Sequence, residues 1–138
     1  LRAFASEVGA LEFARVAGRV YRGELVEAVD MSGPALDDRQ WQTLAVPGPW
    51  TGTMANFTGI AWLRREFQLP QGARRGTASL NLGAVRDVDV AYVNGVKVGT
   101  TESTPNGLRK YQVPAGILRV GRNVVAVQVT NRRGTAGM

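Results

Sequence analysis

The sequence has 138 residues, of which 44% are hydrophobic, and it carries a formal net charge of +6. This length and composition fit one globular domain with a hydrophobic core and give no sign of wholesale disorder. Cysteine and histidine are both absent from the sequence. Disulfides and thiolate metal sites are therefore excluded. A complete Ser-His-Asp site is excluded as well, because no imidazole can act as the general base.

The positive charge is spread thinly along the sequence. Arginines occur singly or in pairs, as at Arg64-Arg65 and Arg132-Arg133, and no predicted helix or finger gathers them. Proteins that bind nucleic acids concentrate such charge on one face, often beside aromatic side chains that stack on bases. We therefore expect no nucleic-acid partner. No stretch approaches the roughly 18 apolar residues that a membrane span needs.

The N-terminal residues differ in character from the rest of the sequence. Apolar side chains recur at helical spacing from Phe4 to Tyr21, with alanine, glutamate and arginine between them. This spacing predicts one or two amphipathic helical pieces, although three glycines weaken the pattern. The sequence starts at Leu1 rather than methionine. We interpret it as a processed or excised piece of a longer protein.

Turn residues between Asp30 and Gln40 mark the entrance to the main domain. The adjacent Asp37 and Asp38 could ligate calcium together with backbone carbonyl groups. They could equally form a solvated turn in which an aspartate caps the next segment, and this second interpretation is favoured. No metal and no other cofactor is therefore predicted.

From residue 41 onward, the sequence alternates between apolar and polar residues in short runs that turn residues separate. The predicted strands cover residues 41–46, 60–69, 77–82, 87–93, 96–100, 108–113 and 123–130. In the second of these, Arg65 falls on the apolar face, which implies either a bulge or a paired buried cation. The last strand has apolar residues on both sides, as a central strand buried on both faces would have.

The clearest local signal is the stretch DVDVAYVNGVKVGT at residues 87–100. Asn94-Gly95 between two alternating runs predicts a hairpin with a two-residue type I′ turn, in which both central residues have positive φ. Positions 88, 90 and 92 form an apolar face of the first strand, and positions 87, 89, 91 and 93 form a mostly polar one. Short strands at this spacing predict an all-β fold, an antiparallel β-sandwich with an N-terminal helical segment.

The strands carry an ordered set of motifs. They are WQTLAVPGPW at 41–50, GIAWLRREFQLP at 59–70, LNLGAVRDVDVAYVNGVKVGTT at 80–101 and RKYQVPAGILRVGRNVVAVQVTN at 109–131. This set resembles the galactose-binding-like jelly-roll module of carbohydrate-active hydrolases. It is similar to the sugar-binding domain of the β-galactosidase and β-glucuronidase family, and it resembles still more closely the β-sandwich inserted into the catalytic domain of sialate O-acetylesterases.

The resemblance implies three parts. A helical segment from a parent catalytic domain would cover residues 1–36, a galactose-binding-like β-sandwich residues 37–131, and a Gly-rich exit tail residues 132–138. The leading interpretation is a non-catalytic module of a sialate O-acetylesterase, with a scaffolding or weak glycan-binding role. The alternatives are an accessory domain of a β-galactosidase or β-glucuronidase type of glycosidase, a stand-alone carbohydrate-binding module, and a protein-interaction sandwich.

The resemblance also bears on partners and location. The expected partner is the catalytic hydrolase domain of the same parent protein. If the module binds glycans weakly, a glycan is a second partner. A periplasmic or secreted location is expected. The esterases use a serine and a histidine that have no counterpart in this sequence, so no catalytic residue is carried over and the chain alone is not expected to be an enzyme.

Sugar recognition uses aromatic rings for stacking, and carboxylates, amides and arginines for hydroxyl groups. The candidates of these types are Trp50, Asn56, Trp62, Arg64, Asp87, Asp89, Asn94 and Arg109. Each also has a structural interpretation: the tryptophans as core or loop anchors, the asparagine at 94 as a turn residue, and the aspartates as cross-strand partners of the arginines. The structural interpretation is the favoured one.

Overall fold

Every regular element that the structure describes is a β-strand. The computed structural model describes residues 15–16, 30–39, 41–43, 59–72, 76–85, 88–102 and 107–131. The strands are β1 (Arg15–Val16), β2 (Gln42–Thr43), β3 (Gly59–Leu69), β4 (Ala78–Ala84), β5 (Val88–Val93), β6 (Val96–Thr101), β7 (Leu108–Val113) and β8 (Gly121–Asn131). All pairings are antiparallel, which confirms the predicted all-β class. Within these ranges no helix is long and apolar enough to cross a membrane.

The strands form one six-stranded and one two-stranded sheet. The larger sheet has the order β2-β1-β3-β8-β5-β6, and the smaller one pairs β4 with β7. Strand β8 lies between β3 and β5, and its register with β3 runs without a shift from Gly59 opposite Asn131 to Leu69 opposite Gly121. Its successive residues from Asn123 to Val127 are all buried. The prediction of a central strand buried on both faces is therefore confirmed.

An apolar core joins the two sheets. Its buried residues alternate along each strand, as a half-buried sheet face requires. From the larger sheet come Ala61, Leu63, Phe67, Ala91, Val93, Val125, Val127 and Val129, and from the rest of the chain Ala78, Leu80, Leu82, Val85 and Val113. Since both sheets supply members to one cluster, burial of this apolar area is the main attraction between them.

The opposite face of the larger sheet is covered as well. Trp62 of β3 is buried there beside Ala126 of β8, and the half-buried Met31 and Trp41 pack against them. The ring centroids of Trp62 and Tyr92 are 5.6 Å apart, at an interplanar angle of 33°. Met31 and Trp41 thus cover the face of β3 that is opposite the core between the sheets.

The predicted N-terminal helical segment is not supported. Arg15–Val16 forms a strand that pairs with β2 on one side and β3 on the other, with Arg15 opposite Arg64. At these two residues the edge of β3 offers hydrogen-bond partners to the backbone, and this strand pairing takes the place of the predicted helical turn. The remaining residues of the segment up to 29, and the predicted exit tail at 132–138, lie outside the described residues.

Strand β3 has no bulge at Arg65, because its register with β8 is continuous there. Arg65 is half-buried, and the deeply buried cation is its neighbour Arg64. Register shifts occur instead in β4, between Asn81 and Gly83, and where β5 pairs with β6. The alternation in the sequence places Arg64 on the face opposite the apolar one, and it does not show that the segment around Met31 and Asp38 covers that face.

The hairpin prediction is confirmed at its turn. Asn94 has a φ of 49° and Gly95 a φ of 81°, as a type I′ turn requires. The side of β5 that faces the core, however, is the one predicted to be mostly polar: Asp89, Ala91 and Val93 are all 0% exposed. Asp89 can be buried on this side because Arg109, on the smaller sheet, neutralises its charge.

Candidate functional site

The structure distributes the candidate residues over three places. Asp89 and Arg109 lie between the sheets, Trp62 and Arg64 lie on the covered outer face of the larger sheet, and Asn94 lies at the tip of the β5–β6 hairpin. The remaining candidates, Trp50, Asn56 and Asp87, lie outside the described residues. The five described candidates therefore do not converge on one pocket.

Asp89 is the centre of a polar cluster between the sheets. Arg109 donates through Nε to Asp89 Oδ1, and the hydroxyl of Tyr111 donates to Asp89 Oδ2 over 2.6 Å. Arg109 is 1% exposed, so this is a fully desolvated ion pair. Of the two arginines considered as partners of Asp89, the structure selects Arg109, and the pair joins the two sheets rather than neighbouring strands of one sheet. We call Asp89, Thr101, Arg109 and Tyr111 the inter-sheet cluster.

Backbone and hydroxyl groups complete the inter-sheet cluster. Arg109 Nη1 donates to the carbonyl of Gly107 over 2.9 Å, and the hydroxyl oxygens of Thr101 and Tyr111 are 2.7 Å apart. The cluster links β5 and β6 of the larger sheet to β7 of the smaller one. Because buried charges are tolerated only when they are paired and hydrogen-bonded, this arrangement fixes how the sheets sit on each other.

Tyr111 was not among the predicted site residues. Its ring lies directly on the backbone of Gly99 in β6, where an added Cβ would fall within 2.6 Å of ring carbons. A glycine inside a strand often marks such a close approach, and this was the available signal. The ring and its hydroxyl are thus positioned by packing as well as by hydrogen bonds.

Stability at alkaline pH should depend on Tyr111. Burial, and after it the hydrogen bond to Asp89, raises the pKa of the Tyr111 hydroxyl from 10.0 to about 12. The folded state thus holds this proton more tightly than the unfolded state. The resulting stabilisation is complete below pH 10 and is lost as the pH rises towards 12.

The measurement is urea unfolding of the native chain and of Tyr111→Phe at a series of pH values. We expect the difference in unfolding free energy between them to shrink between pH 10 and about 12. Taking the difference between the two proteins cancels the contributions of the other groups that titrate in this range, since both proteins contain those groups. A difference that stays constant over this range would show that Tyr111 titrates normally.

Asn94 does more than form a turn. Its Nδ2 donates to the carbonyl of Ile117 and to Asn123 Oδ1, and its Oδ1 accepts the backbone N–H of Val124 over 2.9 Å. Asn123 is fully buried and also bonds to the backbone of Arg119 through both side-chain atoms. The two asparagines therefore tie the hairpin tip to the loop before β8. Asn123 was not predicted as a site residue.

Arg64 is held beneath the segment that covers the outer face. Its Nη1 donates to the carbonyl of Met31 over 2.6 Å, and its Nε donates to Asp38 Oδ2 over 3.2 Å. The guanidinium carbon lies 5.9 Å from the ring centroid of Trp41, which is a cation–π distance. Arg64 pairs with Asp38 and not with Asp89, the cross-strand partner considered from the sequence.

Asp37 and Asp38 make separate ion pairs. Asp37 Oδ2 lies 2.7 Å from Nη2 of the exposed Arg39, whereas Asp38 faces Arg64. Within the described residues, no group of three or more histidine, cysteine, aspartate or glutamate side chains could hold a metal ion. The turn interpretation fits Asp37, whose carboxylate also accepts the backbone N–H of Arg39, whereas Asp38 is turned towards the buried Arg64.

Comparisons with known proteins point to one group of enzymes. No protein-family model matches the chain. Two curated proteins of Formosa agariphila are similar to it: a provisionally named β-glucuronidase, 27% identical over 121 residues, and a β-glucuronidase, 26% identical over 118 residues. These alignments cover 78% and 71% of this chain. The chain spans about 11% of the length of each relative.

Solved structures give the same picture of the fold. A calcium-binding mutant of β-glucuronidase 2 from Bacteroides uniformis matches 94% of this chain and 16% of its own, with a TM-score of 0.70 and 23% identity. A glycosyl hydrolase family 2 member from Bacteroides cellulosilyticus matches 91% of this chain and 18% of its own, with a TM-score of 0.69 and 20% identity. The matches favour the β-glucuronidase side of the resemblance and give no support to the sialate O-acetylesterase interpretation. The chain therefore shares the fold of one part of these larger glycoside hydrolases.

Proposed function

We propose that the chain is a non-catalytic β-sandwich module of a glycoside hydrolase and that its main role is to support a catalytic domain of the same protein. The observation that carries the proposal is that candidate sugar-binding side chains are hydrogen-bonded to other side chains of the same chain. Asp89 is bound to Arg109, and Asn94 is bound to Asn123. A side chain held in this way is available to a sugar hydroxyl only if those bonds break.

Similarity to β-glucuronidases supports a glycosidase as the larger protein. Most glycosidases act through a pair of carboxylates that flank the scissile bond. Within the described residues, the one fully buried carboxylate is Asp89, which Arg109 and Tyr111 already bind. We therefore assign the reaction to another part of the larger protein. We further propose that the module is a galactose-binding-like jelly roll and that it covers residues 37–131.

Weak glycan binding is the second candidate function. Trp62, one of the predicted stacking residues, is only 5% exposed and packs on Tyr92, so it offers no open face. Trp50, Asn56 and Asp87 stay predictions. The observation that favours this second function is a buried nitrogen of Arg64, Nη2, that has no hydrogen-bond partner among the described residues.

The test compares the 138-residue chain with the longer protein that its extended reading frame encodes. We expect the purified chain to leave nitrophenyl β-glucuronide and nitrophenyl β-galactoside intact, and the longer protein to hydrolyse one of them. Deleting residues 37–131 from the longer protein should abolish that activity. Hydrolysis by the 138-residue chain alone, or a reading frame without a glycosidase domain, would contradict the proposal.

A further inference from the structure

Arg64 has a hydrogen-bonding capacity that its known contacts leave unused. The residue is 1% exposed, and its Nη2 has no hydrogen-bond partner within the part of the chain that the structure describes. Its Nη1 and Nε are each bound, to Met31 and Asp38. Nη2 carries two N–H groups, and a buried charged donor without an acceptor is costly. The arrangement therefore calls for a further acceptor.

The ion pair with Asp38 does not fill that role. Asp38 Oδ2 lies 3.2 Å from Nε, and the aspartate side chain keeps 21% of its surface exposed. A carboxylate in the usual fork geometry contacts two guanidinium nitrogens at shorter distances. Nη2 is thus buried without an acceptor among the described residues, and a second carboxylate reaches it only when the side chains above it move aside.

Aromatic and apolar side chains surround this guanidinium. Trp41 faces it at 5.9 Å, and Trp41 and Met31 pack together on the cluster of Trp62. Met31, Asp38 and Trp41 are each half-buried, so Arg64 lies one layer of side chains below the surface. Among the described residues, these partly exposed groups must shift for a ring to bind beside Trp41.

We propose that Arg64 and Trp41 form a binding site for an acidic sugar, with the sugar carboxylate on Arg64 Nη2 and the sugar ring against the indole. An arginine binds carboxylates through charge-assisted hydrogen bonds, and an indole packs on the apolar face of a sugar ring. The carboxylate is inferred from the arginine, and the choice of a sugar rests on the proposed role in a glycoside hydrolase, because an arginine alone accepts any carboxylate.

The experiment titrates the 138-residue chain with sodium glucuronate, glucose and sodium acetate at constant ionic strength, and follows the arginine side-chain N–H signals by NMR. We expect the Arg64 signals to shift saturably with glucuronate, more weakly with acetate and not with glucose. Arg64→Lys keeps the charge but removes Nη2, and it should weaken glucuronate binding about tenfold. The matched control is Arg122→Lys, which alters an arginine with 46% side-chain exposure and should leave binding unchanged.

Three outcomes would overturn the inference. Arg64 signals that glucuronate leaves unmoved would exclude the site in the native chain, even if the Arg64→Lys variant fails to fold. Equal affinity for acetate and glucuronate would exclude recognition of a sugar, and equal affinity for glucose would exclude recognition of the carboxylate. None of these outcomes would contradict the proposal that the module supports a catalytic domain. That proposal is tested separately, by the activity of the longer protein.

Discussion

Replacing Asp89 with asparagine is expected to lower the free energy of unfolding by about 3 kcal/mol or more, because a buried arginine loses its counter-charge. Asp89 is 0% exposed and Arg109 is 1% exposed, so water cannot take over the lost interaction. Asparagine has nearly the same shape as aspartate. The loss therefore reports charge and hydrogen bonding rather than a cavity. Urea unfolding, followed by tryptophan fluorescence, measures it.

An exposed ion pair of the same chain supplies the control. Asp37 pairs with Arg39 at 2.7 Å, but their side chains are 58% and 81% exposed. Asp37→Asn should leave the urea midpoint unchanged, because solvent screens such pairs. The double variant Asp89→Leu/Arg109→Met leaves no unpaired charge, so it should be more stable than Asp89→Asn alone. An Asp89→Asn protein with the native midpoint would contradict the structural importance of the inter-sheet cluster.

Many of the strands could be predicted from local sequence. The predicted strand at 60–69 corresponds to Gly59–Leu69, and the one at 108–113 to Leu108–Val113. The turn at Asn94-Gly95 was correct because positive φ at two successive residues is a local requirement that few residue types meet. The strand at Arg15–Val16 was missed because its stability comes from pairing with Leu63 and Arg64, far away in the sequence.

The candidate sites depended on contacts that no local pattern contains. Asp89 was assigned to a polar face, yet it is buried because Arg109, 20 residues later, neutralises it. Arg64 falls on the face of β3 opposite the apolar one, and the contact that buries it there comes from the segment of Asp38, 26 residues earlier. Period-two alternation shows which residues share a face. It does not show which face another part of the chain will cover.

Gly99→Ala is expected to destabilise the chain by about 3 kcal/mol, because overpacking adds to the loss of hydrogen bonds by Tyr111. A Cβ at position 99 would lie 2.5 Å from Cγ and 2.6 Å from Cε1 of the Tyr111 ring, and closer still to Cδ1. The clash involves the body of the ring rather than a flexible end. The ring must therefore move, which draws its hydroxyl away from Asp89 and Thr101.

A double-mutant cycle shows whether Tyr111 is the reason. Once Tyr111→Ala has removed the ring, Gly99→Ala should have little further effect, so the two changes should be far from additive. Gly76→Ala is the matched control for adding a methyl group, since no atom of the described residues is found within 4 Å of a Cβ at that position. It should leave the unfolding midpoint near the native value. If Gly99→Ala destabilised the Tyr111→Ala protein as much as the native one, strain in the β6 backbone would be the cause, and Tyr111 would not be held by close contact with that strand.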